Sequence, residues 1–141
     1  MSGLDIRACA TADAAALIAL WGGAFDDRRA WSTPAAYLER KRRTQSELLL
    51  VGILDGCLGA AVAAGYDGVR GWLYHLAVDP TLRRRGYGAA MVRAAEQRLA
   101  ALGCPKVNLQ VMPDNEAVVA FYERLGYAVE PRISMARTLV G

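Results

Sequence analysis

The sequence predicts a single α/β (α+β) domain built on a mixed, mostly antiparallel central sheet with one β-α-β unit at its centre. Three observations carry that expectation. The 141 residues, 54% of them hydrophobic and 22% charged, suit one folded domain with a substantial core. The stretch from Glu47 to Val78 reads as a meander of three strands separated by turn dipeptides. The stretch from Trp72 to Met112 reads strand, helix, strand, the pattern of a right-handed parallel crossover.

Taken in order, LDIRACA (Leu4 to Ala10) alternates as a first strand does, and Thr11 is placed to cap an alanine-rich helix that runs through Leu17 and Leu20 to about Trp21. GGAFDDRRAWS (Gly22 to Ser32) has no period and reads as a loop. TPAAYLERKRR follows with Thr33 as cap, Pro34 at the first helical position and a basic end, the polarity of a short helix. Two strands then meet at Asp55-Gly56, a favoured hairpin turn, and YDGVRG turns the chain into WLYHLAV (Trp72 to Val78). A helix is expected from about Tyr87 to Leu102, because Met91, Ala94, Ala95, Leu99 and Leu102 recur three or four apart, with Gly103 ending it. KVNLQVM (Lys106 to Met112) is the next strand, and Asp114 opens a helix to Gly126. Tyr127 to Leu139 closes the chain with one or two strands.

The net charge of +3 comes from 17 basic and 14 acidic side chains. The excess gathers at Arg28 and Arg29, at ERKRR (Glu39 to Arg43), and at Arg83, Arg84 and Arg85. A small polyanion needs only one well-placed patch, roughly two of the three clusters reading as solvated faces, whereas nucleic acid needs a broad basic field and stacking aromatics on a strand. Cys9, Cys57 and Cys104 are odd in number and widely spaced, which fits neither a disulfide scaffold nor a metal knuckle. No metal, nucleic acid or membrane is therefore expected. The start of the chain lacks the order of a secretory leader and no window approaches the roughly 20 apolar residues of a membrane span, so a cytoplasmic location is expected.

The most informative stretch is PTLRRRGYGAAMV (Pro80 to Val92). A turn between strand and helix exposes the backbone N–H groups of the first helical turn, and the positive end of the helix dipole adds to them. Glycine admits a ligand close to the backbone, so RRRGYG is an anion cradle suited to phosphate or pyrophosphate. Two rival phosphate motifs fail on residues. A Walker loop needs Lys and then Ser or Thr after the final glycine, whereas Gly88 is followed by Ala89 and Ala90. A dinucleotide fingerprint needs a strand directly before the first glycine and an acid roughly 20 residues on; here Pro80 to Arg85 intervene and the next strand offers Asn108.

VDPTLRRRGYGAAMV resembles the acetyl-CoA-binding motif of the GCN5-related N-acetyltransferase (GNAT) family, with Arg83, Gly86 and Gly88 in the motif's places. NEAVVAFYERLGY (Asn115 to Tyr127) is similar to the second half of the family pattern, and the two together span nearly the whole chain. LW (Leu20, Trp21), the later W and P of RRAWSTP, ERK, YDGVRG and the strand ending YHLAV resemble the small YpeA-like subgroup. The resemblance implies helices on both faces of the sheet and acetyl-CoA as cofactor. It implies that the N–H groups around Arg84, Arg85, Gly86, Tyr87, Gly88 and Ala89 receive the pyrophosphate, and that Leu76, Ala77 and Val78 give main-chain partners to the pantetheine arm. By the same resemblance Asn115 hydrogen-bonds that arm and Tyr122 lies near its sulfur as proton donor.

Acetyl transfer to an amine needs an uncharged nucleophile, stabilisation of the oxygen charge that develops at the thioester, and a proton for the departing thiolate. No cysteine has a histidine at a triad spacing, so direct attack by the amine is expected. Many family members carry a glutamate at the place of Tyr74, and peptide-terminus acetylators one at the place of Gln110; this chain has neither. Tyr74 is instead expected to orient a relay water, or else to pack with Trp72 and Leu76 on one face of its strand. His75 falls by parity on the opposite face, beneath a helix. For the acceptor, a small-molecule amine or a peptide N-terminus, Asp26, Asp27 and Glu47 offer negative charge, and Trp31, Tyr37 and Tyr66 offer walls, with Gln110 nearby. The alternative class is a coenzyme-binding regulatory domain that has lost catalysis. Outer strands near the C-terminus leave a homodimer open, although the proline of VEPRISM interrupts such an edge.

Overall fold

A computed structural model describes residues 3–25 and 29–140. They fall into two compact units, Met1–Leu109 and Gln110–Gly141. The first holds a five-stranded sheet in the order β1-β2-β3-β4-β5, formed by β1 (Asp5–Ala8), β2 (Leu49–Leu54), β3 (Cys57–Tyr66), β4 (Gly71–Val78) and β5 (Val107–Asn108). The first three pairings are antiparallel and β4 with β5 is parallel, so the sheet is mixed and mostly antiparallel. Helices α1 (Ala14–Ala24) and α2 (Pro34–Arg42) cover one face, and α3 (Tyr87–Ala101) covers the other.

Local chemistry explains most element ends. Asp55 (φ 50) and Gly56 (φ 78) are both left-handed, which matches the twist of the strands they join. The Thr33 hydroxyl accepts the Ala36 N–H at 3.2 Å, and Pro34 supplies the first helical position. Gly103 (φ 86) follows the end of α3. Leu17, Trp21 and Leu38 bury against Leu49, Val51, Ala61, Ala63 and Ala77, while Met91, Val92, Ala95 and Leu99 bury the inner side of α3.

Several expectations need correction. The carboxylate that organises the start of α1 is Asp13, not the Thr11 hydroxyl: it accepts the Ala10 N–H at 2.7 Å and the Arg7 guanidinium at 2.6 Å, and Thr11 begins a 3-10 turn. Helix α1 continues through Gly22 and Gly23 to Ala24, because Leu17 and Trp21 anchor it and nothing crowds the glycines. Leu102 lies just past α3 and is half exposed. Strand β5 is only two residues long; its ladder with β4 stops at Trp72 and Asn108, short of an irregularity at His75 that spoils the flat pairing a longer ladder needs.

In the second unit, α4 (Glu116–Arg124) is capped by Asn115, whose Oδ1 accepts the Val118 N–H at 3.3 Å, in place of the expected Asp114. No strand forms over residues 127–140. Pro131 lacks a donor and the Arg132 N–H turns back to the Glu130 carbonyl at 2.9 Å, so the extended run is broken there. Val129, Ile133, Met135 and Leu139 are exposed.

Gly71 opens β4 where it meets α3. A Cβ there would stand 2.8 Å from the Cys104 Sγ and 3.1 Å from Leu99 Cδ1. Gly71→Ala is expected to lower stability by about 1–3 kcal/mol through overpacking, read as a lower denaturation midpoint with an unchanged slope.

Candidate coenzyme and acceptor site

The site begins in β4, at a residue whose backbone departs from its neighbours. His75 is left-handed (φ 54). Opposite it, Ala61 pairs with Ala77 but Ala63 pairs with Tyr74, so His75 and Leu76 together face Val62 alone. This is a bulge of one extra residue on β4. The cost of such angles in a non-glycine residue is about 1–2 kcal/mol, and surrounding contacts must hold it. They come from the helices: the Trp21 indole N–H donates to the His75 carbonyl at 3.0 Å, and the His75 ring packs against Tyr37 (4.1 Å between centroids), Phe25 (4.9 Å) and Trp21 (5.4 Å).

The bulge also corrects the strand parity read from sequence. His75 does pack beneath helices. Tyr74, however, is registered with Ala63, a member of the core under α1 and α2, so both residues turn to that face. Ala77 returns to it three residues after Tyr74, and Leu76 therefore does not share a face with Trp72 and Tyr74. Beyond the bulge, Leu76, Ala77 and Val78 lie next to β3 on one edge, and the short β5 does not reach their other edge.

The anion turn follows directly. The Asp79 N–H donates to the Gly59 carbonyl at 2.8 Å, and the Asp79 carboxylate accepts both the N–H and the hydroxyl of Thr81 at 2.9 and 2.6 Å. These two bonds hold that carboxyl below its ordinary range. Leu82 occupies the space that a Cβ on Gly59 would take, 2.5 Å from its Cδ1, which seats the turn in a notch on β3. Arg84 (φ 65) and Gly86 (φ 84) are left-handed on either side of Arg85, and α3 starts at Tyr87 with no side-chain cap and no acid in its first turn.

This arrangement fits a pyrophosphate. The first N–H groups of α3 lack a capping side chain, the helix dipole is positive there, and a Cβ built on Gly86 would meet nothing within 4 Å. Arg83, Arg84 and Arg85 are exposed and form no ion pair among the described residues. The Tyr87 ring is buried, and Gly88 and Ala89 lie in the same first turn. Against the turn lies a cleft of about 330 Å³ between Val78, Asp79 and Arg83 and the small residues Ala16, Ala19 and Gly23 of α1.

Among the other candidates, Tyr74 is 47% exposed and stacks with Trp72 at 6.4 Å between centroids. Desolvation pushes its phenol above the ordinary range, and the Asp67 charge adds to the shift. Asp67 was not singled out from the sequence because it reads as plain turn chemistry: it accepts the Arg70 and Val69 N–H groups, each at 2.8 Å, which hold its carboxyl low. Tyr66, paired with Gly71, falls on the α3 face, away from Tyr74; both its backbone groups are bonded to the Gln45 amide. Trp31 lies half-buried in a short turn with the Arg29 guanidinium 4.3 Å over its ring. Asp26 and Asp27 lie outside the described residues.

In the second unit, Tyr122 is 8% exposed, with Phe121 and Tyr127 edge-on at 5.0 and 5.5 Å. Burial pushes its phenol up to about 12. Asn115 spends its Oδ1 on the cap and keeps its amide nitrogen as a donor. The Gln110 amide donates to the Ser134 hydroxyl at 2.8 Å.

Residues 15–127 match the model of the acetyltransferase (GNAT) family. The chain is 38% identical to acetyltransferase YE1169 of Yersinia enterocolitica over 137 residues, 97% of this chain and 96% of that one. It is equally similar, over the same shares, to acetyltransferase ECA0875 of Pectobacterium atrosepticum. Ard1 from Thermoplasma volcanium superposes with a TM-score of 0.81 at 22% identity, covering 91% of this chain and 84% of that one. An AAC(6')-Iy structure with the bisubstrate analogue CoA-S-monomethyl-acetylneamine gives 0.80 at 18% identity, covering 97% and 99%. The chain belongs to the GNAT acetyltransferase family and has its coenzyme-A-binding fold. Among the described residues no helix is long and apolar enough to cross a membrane.

A branched side chain on Gly86 would both strain the left-handed angles and fill the cradle. Gly86→Val is expected to stay folded and to bind CoA roughly ten- to a hundredfold more weakly, the loss of one or two charge-assisted hydrogen bonds. Titration calorimetry checks it, and unchanged affinity in a folded variant would move the pyrophosphate elsewhere.

Proposed function

We propose that the protein is an acetyl-CoA-dependent N-acetyltransferase acting on a primary amine of a small molecule or a peptide terminus. The observation that carries this reading is the cradle at Arg84 to Ala89: uncapped N–H groups, left-handed Arg84 and Gly86, and open space above the glycine. The finer likeness to the YpeA-like subgroup rests on the short motifs quoted above. When bound, the coenzyme supplies an acetyl group activated as a thioester.

The chain's own residues divide the remaining work. The turn fixes the anion, and the open edge of Leu76, Ala77 and Val78 orients the arm, so that positioning supplies a large share of the rate. As the C–N bond forms and the C–S bond breaks, one proton must leave the amine and one must reach the sulfur. Tyr74, kept neutral by its raised pKa, orients the water that carries the first away. Tyr122 donates a hydrogen bond to the departing sulfur, with Asn115 holding the arm beside it. Burial keeps the Tyr122 hydroxyl protonated, so it is available to give the sulfur its proton as the C–S bond breaks, and the phenol is then reprotonated from solvent, which has taken up the proton released by the amine.

The acceptor ammonium is drawn by the Asp67 carboxylate, whose field reaches the Tyr74 phenol. Trp72 and Tyr74 form an aromatic wall beside it, and Asp26, Asp27 and Trp31 remain proposed acceptor contacts from the sequence. The competing reading, a coenzyme-binding regulatory domain without catalysis, has in its favour that neither Tyr74 nor Gln110 is a carboxylate. Screening polyamines, amino acids, aminoglycosides and N-terminal peptides for CoA release separates the two: CoA binding with no turnover on any amine supports the regulatory domain.

Tyr122→Phe keeps the ring and removes the donor. Turnover is expected to fall about ten- to a hundredfold with CoA affinity within about twofold, the signature of an interaction made in the transition state; wild-type turnover with chemistry rate-limiting would remove the role. Because the folded phenol titrates near 12, the wild-type rate should show no falling limb from Tyr122 below that pH. For stability the sign is the reverse of a carboxylate's. The raised pKa contributes fully below the ordinary tyrosine value of about 10, and that contribution is lost as pH rises toward about 12.

Asp67→Asn preserves the acceptor oxygen of the turn and removes the charge. It is expected to raise the amine KM several-fold and leave CoA affinity unchanged. Unaltered steady-state constants for every amine that the wild type accepts would exclude Asp67 from the acceptor site.

A further inference from the structure

Trp21 belongs to a short motif that no step of the reaction uses, yet it is fully buried and spends its only polar group on one backbone atom, the carbonyl of His75 at 3.0 Å. That carbonyl belongs to the left-handed residue of the β4 bulge. Leu76 shares Val62 with that residue, and Ala77 and Val78 return to register with β3 one position late. Their direction, and hence the aim of their N–H and C=O groups, is set by how far the bulge is turned. A histidine chain favours the extended region of its neighbours, so it needs an external bond to stay left-handed.

We propose that the Trp21 indole N–H is a latch on the His75 carbonyl that holds the bulge open and presents the Leu76–Val78 edge to the pantetheine arm of the coenzyme. Trp21 is a positioning residue: it touches the backbone of the strand, not the ligand. The proposal rests on the coenzyme reading above and assigns a task to a residue outside the anion turn. It makes a distinction that packing alone does not. The anion turn is held separately, by the Asp79 N–H on Gly59 and by Leu82 in the Gly59 notch. Loss of the latch therefore affects the arm of the coenzyme and spares its nucleotide.

The test compares two ligands on the full chain by titration calorimetry: CoA, which has the arm, and ADP 3′-phosphate, which lacks it. With Trp21→Phe, CoA is expected to bind about tenfold more weakly, as for one lost buried hydrogen bond, and ADP 3′-phosphate within about twofold of wild type. Amide hydrogen exchange without ligand should quicken at residues 76–78 relative to β2 and β3. Adding His75→Gly to Trp21→Phe should restore most of the CoA affinity, because glycine holds the left-handed angles unaided; a core-packing role predicts a further loss instead. Equal weakening of both ligands, uniform acceleration of exchange, or no rescue by glycine each overturns the latch. Should Trp21→Phe not fold, His75→Gly alone decides: CoA affinity within about twofold of wild type is expected, and a tenfold loss overturns the proposal. A wild-type chain that bound neither ligand would bring down the coenzyme reading itself, and the latch with it.

Discussion

A single left-handed residue in the middle of β4 sets the terms for the rest of the structure. A regular β4 would carry its alternation unbroken from Gly71 to Val78 and would continue its ladder with β5. With His75 at φ 54, one residue is gained against β3, the face pattern shifts, and the ladder to β5 ends at Trp72. What a sheet normally spends on strand pairing is thereby released along Leu76, Ala77 and Val78. The aromatic cluster of Trp21, Phe25, Tyr37 and His75 is the opposing term, burying rings and one N–H···O bond against the strained backbone.

The anion cradle depends on the same economy of unfilled partners. Two of the four α-helices among the described residues have a side chain or a proline at their start: Thr33 and Pro34 for α2, Asn115 for α4. Helix α3 has neither, and its first turn holds no acid. A Cβ on Gly86 just before it would meet nothing within 4 Å, and Arg83, Arg84 and Arg85 in the preceding turn are exposed. Gly59 supports this from the other side of the turn, since only a residue without Cβ lets Leu82 seat where it does. Two glycines thus act in opposite senses, one receiving protein and one leaving room for a ligand.

The ionisable groups that their surroundings shift include two phenols and a turn carboxylate. Desolvation raises Tyr74 and Tyr122 alike and favours their protonated forms. Asp67 is the counterpart, held ionised by two backbone N–H groups. On the proposed reading the amine loses its proton to water, which places more weight on positioning than on a strong protein base.

What the sequence by itself determined is local. Asp55-Gly56 makes a hairpin, Thr33-Pro34 starts a helix, the period of Met91, Ala95 and Leu99 makes α3, and RRRGYG makes the glycine turn that leads into it; each depends on a few neighbouring residues and their backbone preferences. The family pattern in the two motifs was legible for the same reason. What only the tertiary structure decided is register and face. His75 is left-handed and its carbonyl accepts the indole N–H of Trp21, 54 positions away, and nothing in WLYHLAV announces a bulge. Tyr66 and Tyr74 part company across the sheet because Ala63 and Gly71 fix their partners. Helix α1 keeps Gly22 and Gly23 because burial of Trp21 outweighs their weak propensity. Turn chemistry is written in adjacent residues, whereas a strand's phase is set by contacts that exist only once distant segments have packed.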